Sequence, residues 1–377
     1  MIYLDHAATT ACSAEVVDAM VPYLREQFAN ASSIDHLPGV MARRAVDEAR
    51  EAVALLVGAR AEDVIFTSGS TEANNLAMTV ACPVLTTQIE HPSILDSFTA
   101  RNMKTDRFIP VDEHGVVKTE LLEEQLAKLD DRSLVSIIAT NNETGTEQDI
   151  GRLLALASDR GALLHVDATQ AVGTRQFGAR REGLAALSIS AHKIHGPKGV
   201  GALIAMPAMR AQLKPVLRGG GHERGLRSGT LNVPGIVGFG VAARIIRASW
   251  LTRRERLAEL RQQFLDKLRR LSGDAVRETI PGTLASPHIL SVRMLGTNSR
   301  ALLGAVREDV AFSLGSACAT NKAEPSHVLV ALGLDKRAVA ETFRISFSPD
   351  QSVEQIEAAA TILASAAATL SGYSVPA

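Results

Sequence analysis

The chain has 377 residues, 46% of them hydrophobic and 21% charged, enough apolar material for roughly two domains of ordinary size. Its 40 basic residues stand against 41 acidic ones, so no electrostatic excess points to nucleic acid or to an anionic membrane as the main partner. Three cysteines, Cys12, Cys82 and Cys318, are odd in number and form no CxxC pair, which argues against a disulfide framework or a zinc ribbon and for a reducing compartment.

The N-terminal MIYLDHAATT lacks the basic and apolar stretches of a secretory leader. The most lipid-like segment, AAATILASAAATLSGY, is rich in small residues and short of a membrane span, so a cytoplasmic protein is expected. Val16, Val17, Met20, Val21, Leu24 and Phe28 recur with helical spacing, and MARRAVDEAREAVALLVG (41–58) continues in the same way. Short apolar runs then alternate with helical stretches. VIFT (64–67) precedes a helix from Thr71, PVLTT (83–87) one near Pro92, and SLVSIIAT (133–140) one from about Asp149. ALLHV (162–166), AALSI (185–189) and GVGALIA (199–205) follow as strands. Strands apolar on both faces, alternating with helices, predict an α/β fold built on a largely parallel sheet with helices on each side. After about residue 248 a charged helix, LTRRERLAELRQQFLDKLRRL, leads into shorter strands (HILSVRM, DVAFSL, TFRISFS), the texture of a smaller α+β unit.

Ligands of open parallel sheets sit beyond the carboxyl ends of the strands. Five such ends carry polar clusters: TSGSTE (67–72), IEHP (89–92), NNETG (141–145), DATQ (167–170) and SAHK (190–193). In the first, Ser70 or Thr71 can cap the following helix, whose free N–H groups suit a phosphate; an ordinary capping box reads equally from the same letters. Asp167 ends an apolar strand, where a carboxylate needs a partner. That partner is either a helix end or ion pair, or the protonated nitrogen of a pyridine, which Gln170 could also reach. Lys193 lies between His192 and His195, ahead of the Gly196-Pro197 turn, where an amine can be desolvated into a nucleophile with His192 and a cofactor as nearby positive charges. Pyridoxal phosphate asks a protein for a lysine, a carboxylate, a helix end and a stacking group. Lys193, Asp167, Ser70 with Thr71, and His91 supply that set.

Three features lie outside the strand ends of the large sheet. Cys318, in SLGSACATNKAEPSHVL, follows three small residues rather than lying in an apolar periodic segment, and reads either as an activated nucleophile or as a bystander thiol. Arg344, the one basic residue of TFRISFS, reads either as a surface salt bridge or as a bidentate clamp for a substrate carboxylate. GGGHERGLRSGT (219–230) reads as a loop that approaches an anion closely.

Together YLDHAATT, FTSGSTEANNLA, EHPSIL, NNETG, HVDATQAVG, SAHKIHGPKGVGAL, GGGHERGLRSGT, GSAC…EPSHVLVALG and FRISFS resemble the NifS/IscS-like cysteine desulfurases, fold-type I pyridoxal-phosphate enzymes of the class-V aminotransferase family. The likeness runs nearly end to end. It implies a large domain (14–248) with a mainly parallel seven-stranded sheet flanked by helices. Residues 1–13 and 249–377 would form a small domain carrying the cysteine loop. It implies that Lys193 forms the Schiff base, Asp167 pairs with the pyridinium nitrogen and Gln170 bonds the ring hydroxyl. His91 stacks on the ring and shuttles protons. Ser70, Thr71, Ser190 and His192 hold the phosphate, joined by Thr230 from the second subunit of a homodimer. Asn142 lies against cofactor and substrate, Arg344 binds L-cysteine, and Cys318 takes its sulfur as a persulfide for an acceptor protein. A selenocysteine lyase or an aminotransferase is the sibling reading, against which the Cys318 loop speaks. A silent sulfur-acceptor scaffold is the non-enzyme reading, against which the retention of Lys193 and Asp167 speaks. Ala31 and the Ala319-Thr320 pair depart from the family pattern without touching these positions.

Overall fold

The computed structural model describes residues 1–103, 107–129, 132–314 and 325–371, with the side chains of 181 and 182 excepted. Helices α1 (Ala14–Arg25) and α2 (Leu37–Leu56) open the chain. The expected first helix ends at Arg25, short of Phe28, with Ser13 accepting from Val16 N at its start. A seven-stranded sheet then forms from β1 (Val64–Thr67), β2 (Val84–Thr87), β3 (Arg107–Ile109), β4 (Leu134–Ile138), β5 (Leu163–Asp167), β6 (Ala186–Ser190) and β7 (Gly201–Ala205). Its order is β1-β7-β6-β5-β4-β2-β3, and only β7 runs against its neighbours. All but β3 and the first residue of β5 are buried throughout, as continuous apolar runs covered on both faces require. Strand β3 is absent from the sequence reading: it is three residues long, lies at the sheet edge and is half exposed.

Helices α3 (Ser70–Ala77), α4 (Pro92–Arg101) and α5 (Ile150–Asp159) follow β1, β2 and β4 as the alternation predicts. Helix α6 runs unbroken for 40 residues, Val233–Ser272, through the point where the sequence texture changes. Its first half packs among the buried residues of the large sheet, through Ile236, Phe239 and Ile246. Its second half joins a separate apolar cluster with Leu257, Phe264 and Leu268. Close passage of α2 across α6 depends on Gly240, where a Cβ would stand 2.7 Å from both Ala49 Cα and Ala49 Cβ.

The second cluster lies under a four-stranded antiparallel sheet of β8 (Val276–Glu278), β9 (Ile289–Met294), β10 (Ser313–Leu314) and β11 (Thr342–Ser346), in the order β10-β11-β9-β8. The N-terminus belongs to this unit: Ile2–Tyr3 pairs in parallel with Val310–Ala311, and Leu4 is fully buried among its side chains. Residues 5–8 then cross towards the carboxyl ends of the large sheet. Among the described residues no helix is long and apolar enough to cross a membrane.

Candidate active site

Strand β5 delivers Asp167 to the centre of the sheet's carboxyl edge, buried. Its Oδ2 accepts from Asn74 Nδ2 at 2.7 Å and its Oδ1 from Thr169 N at 3.0 Å, so both oxygens are fixed and each keeps a lone pair. Asn74 comes from the inner face of α3 and bridges on to Ser93 Oγ at 2.9 Å. Asn74 Oδ1 and Thr169 Oγ1 are buried beside this carboxylate with no partner among the described residues.

His91 caps α4, its Nδ1 accepting from Ser93 N at 3.1 Å, which puts the ring proton on Nε2. Burial pushes this imidazole below its ordinary value, against the pull of Asp167. Glu90 is fully buried behind it, and burial reinforced by Asp167 holds its carboxyl well above the usual range.

Lys193 ends a short 3₁₀ turn, Ala191–Lys193, directly after β6. Its Nζ donates to Ala7 O at 2.6 Å and Ala8 O at 2.7 Å, backbone carbonyls of the N-terminal segment. Burial brings the amine down to about 8, the Arg344 cation adds to the effect, and Asp5 and Asp167 oppose it. His192 does not supply the expected positive charge: burial and the neighbouring Lys193 bring it to about 4, so it is neutral, with Nδ1 3.1 Å from Thr9 Oγ1. Gln170 donates to Ala7 O at 2.8 Å and lies 3.3 Å from His288 Nε2, which leaves one amide hydrogen uncommitted.

The anion end of the site differs from the expected cap. Gly69, not Ser70 or Thr71, is the N-cap of α3, and no side chain among the described residues caps the helix, which leaves its first-turn N–H groups open to a ligand. Ser190 faces this helix start, its Oγ 3.7 Å from where a Gly69 Cβ would be. Such proximity requires Gly201 on β7, whose own Cβ would stand 2.7 Å from Gly69 Cα. Thr71 and His91 line a cleft of about 660 Å³ between α3 and α4.

Arg344 is 8% exposed, so the ion pair that its strand predicted is buried rather than superficial. Its Nη2 donates to Asp5 Oδ1 at 2.6 Å and to Ser313 Oγ at 2.9 Å, and its Nη1 to Asn142 O at 2.6 Å. Asn142 thus meets Arg344 through its backbone, while Asn141 is structural, with Nδ2 on Ile89 O and Oδ1 accepting from Glu143 N and Thr144 N. Cys318 lies outside the described residues. Thr230 is exposed and, among the described residues, makes no side-chain hydrogen bond to the strand-end groups of its own chain. Its loop is anchored by Glu223, buried against Arg50 through two bonds of 2.7 and 2.6 Å and accepting from Phe66 N at 2.8 Å.

The chain has known relatives. Residues 2–359 match the aminotransferase class-V family. The chain is 40% identical over 387 residues to a cysteine desulfurase of Frankia sp. (strain EuIK1), covering 97% of this chain and 91% of the relative. It is 39% identical over 370 residues to the cysteine desulfurase IscS of Anaeromyxobacter sp. (strain Fw109-5), covering 94% and 90%. A solved NifS-like protein superposes with a TM-score of 0.88 at 32% identity, covering 96% of this chain and 98% of that one. The chain belongs to the aminotransferase class-V family. As the resemblance implied, this member has the mixed α/β fold with one mostly parallel seven-stranded sheet flanked by helices.

Asn74, Glu90, Asp5 and the Ala7 and Ala8 carbonyls are the site groups that sequence reasoning passed over. Asn74 carried a signal, lying four residues after Ser70 on one face of the same helix. The carbonyls carried none, because every residue has one.

Proposed function

We propose that this class-V family member is a pyridoxal-phosphate-dependent cysteine desulfurase that converts L-cysteine to L-alanine and passes the sulfur through Cys318 to an acceptor protein. The observation that carries the reading is near-full-length identity of 39–40% to cysteine desulfurases in a chain that keeps a lysine, a carboxylate and an imidazole of the required kind at adjoining strand ends. The half-buried lysine amine with no carboxylate partner, the uncapped start of α3 and the unpartnered polar atoms beside Asp167, all as seen among the described residues, fit the cofactor.

In this reading Lys193 would hold the cofactor aldehyde, Asp167 the ring nitrogen and Gln170 the ring hydroxyl. Ser70, Thr71, Ser190, His192 and the α3 N–H groups would hold the phosphate, with Thr230 of a second copy. Once bound, the cofactor supplies an electron sink that weakens the substrate's Cβ–S bond. Neutral His91 presents Nε2 as a proton carrier, and the Lys193 amine, freed by burial, takes and returns a proton near neutral pH. Arg344 with Asn142 orients the substrate carboxylate. The overall step balances: the Cys318 thiol and L-cysteine give a persulfide and alanine, with the Cβ–S and the Cys318 S–H bonds broken, one S–S and one Cβ–H bond made, and the thiol proton passed to Cβ.

Large apolar side chains are exposed between residues 17 and 41, among them Phe28 at 77%, Leu37 at 70% and Ile34 at 64%. A second copy of the chain would cover this face, which supports a homodimer. Two units, 14–248 and 1–13 with 249–377, and a cytoplasmic location complete the reading. The test is product analysis: wild type supplied with pyridoxal phosphate and L-cysteine should release alanine and sulfide in equal amounts under reducing conditions. Lys193→Ala should release neither; alanine formation at the wild-type rate by that variant would end the proposal.

A further inference from the structure

Asp5 sits where the N-terminal segment, β10 and β11 meet, and its side chain is 19% exposed. Its Oδ1 accepts from Arg344 Nη2 at 2.6 Å and from Ser313 Oγ at 2.8 Å, and Arg344 Nη2 also donates to Ser313 Oγ at 2.9 Å. The three groups close a ring. With Asn142 O on Nη1, the guanidinium is held in one plane from two sides, while Nε is buried and has no partner among the described residues. The segment carrying Asp5 is itself fixed: Leu4 N bonds Ala311 O at 2.7 Å, and Ala7 N bonds Ser346 Oγ at 2.8 Å. Two residues further on, Ala7 O and Ala8 O receive Lys193 Nζ.

We propose that Asp5, bridged by Ser313, is a positioning residue for recognition of the substrate's carboxylate: it fixes the Arg344 guanidinium in its binding orientation beside Lys193. This rests on Arg344 as the carboxylate-binding group. An arginine left on its flexible stem must be ordered each time it captures an anion, whereas one already pinned by a carboxylate and a hydroxyl is ordered beforehand. Asp5 also offsets the Arg344 charge next to the Lys193 amine, so the amine is spared part of the repulsion between two cations.

The test is a spectral titration of the cofactor-loaded protein with two ligands, L-cysteine and 2-aminoethanethiol, which lacks only the carboxylate. Each is run on wild type, Asp5→Asn, Asp5→Glu, Ser313→Ala and Arg344→Ala. Asp5→Asn keeps the shape of the side chain, and Ser313→Ala removes only the bridging hydroxyl; cofactor content and melting temperature check that each variant is folded. Wild type is expected to prefer L-cysteine strongly. Asp5→Asn should lose about tenfold of that preference, the scale of one charge-assisted hydrogen bond. Ser313→Ala should lose less, and Asp5→Glu should recover part of it. Equal weakening of both ligands in Asp5→Asn would mark a purely structural role and overturn the proposal. Loss of preference in Arg344→Ala with none in Asp5→Asn would overturn it while leaving the arginine's role intact. Unchanged preference in Arg344→Ala would overturn the arginine's role and this proposal with it.

Discussion

Lys193 should capture pyridoxal phosphate with a pH profile centred near 8. Its amine is moved from 10.5 to about 8, first by burial and second by the Arg344 cation. A difference of about 2.5 units means that at pH 7 roughly one amine in ten is neutral, against about one in three thousand for an exposed lysine, a gain of about 300-fold in nucleophile. Cofactor-free protein would be mixed with pyridoxal phosphate at pH values from about 6 to 10, reduced with borohydride at early times, and the labelled Lys193 peptide measured by mass spectrometry. The labelling rate should rise to a plateau with its half-point at about 8. Arg344→Gln should move the half-point upward by removing the cation, and Asp5→Asn downward by removing its counter-charge. The sign for stability is also fixed. Between about 8 and 10.5 the unfolded chain holds the proton and the folded one does not, so this group makes the cofactor-free protein more stable as pH rises through that window. Below about 8 both states are protonated and the cost of burying the cation is fully present. A labelling rate that climbs without a plateau to pH 10 or beyond would refute the reasoning, because it would mean a solvated amine.

Two further outcomes test the scaffold around the site. Glu223→Ala strips the buried Arg50 guanidinium of its partner and should cost about 3–5 kcal/mol in chemical denaturation, with Arg50→Met added to it recovering part of the loss; a cost under about 1 kcal/mol would show the pair to be superficial. Gly240→Ala would ordinarily stabilise a helix by about 0.5–1 kcal/mol, yet here the new Cβ meets Ala49 and should cost about 1–3 kcal/mol, so the sign of the change decides whether α2 and α6 are in closest contact there.

Much of the fold was legible because burial on both faces leaves continuous apolar runs. Each of the six strands read from such a run in the large sheet is found within one or two residues of its expected ends. The exception, Arg107–Ile109, is an edge strand with two of its three residues exposed, so little in its composition sets it apart from a loop. Continuity of α6 was hidden for a different reason. Its first half is rich in glycine and alanine for close packing, its second half is charged, and composition changes where the burial changes although the backbone does not.

Of the site, the residues that end strands were legible, since strand ends are where polar letters interrupt apolar runs. The lysine's setting was not. Lys193 is held by carbonyls 186 and 185 positions away, and Arg344 by a carboxylate 339 positions away, contacts that only the folded path of the N-terminal segment creates. His192 was misjudged because two adjacent basic letters suggest two charges, whereas burial beside a lysine makes the imidazole give up its proton.

The measurement that bears most directly on the account is the intact mass of the chain after a single turnover. Cofactor-loaded protein given one equivalent of L-cysteine without reductant should gain the mass of one sulfur atom, located on the Cys318 peptide and removed by thiol, while one alanine is released per chain. An unchanged mass with alanine still formed, or the added sulfur on Cys12 or Cys82 instead, would contradict it.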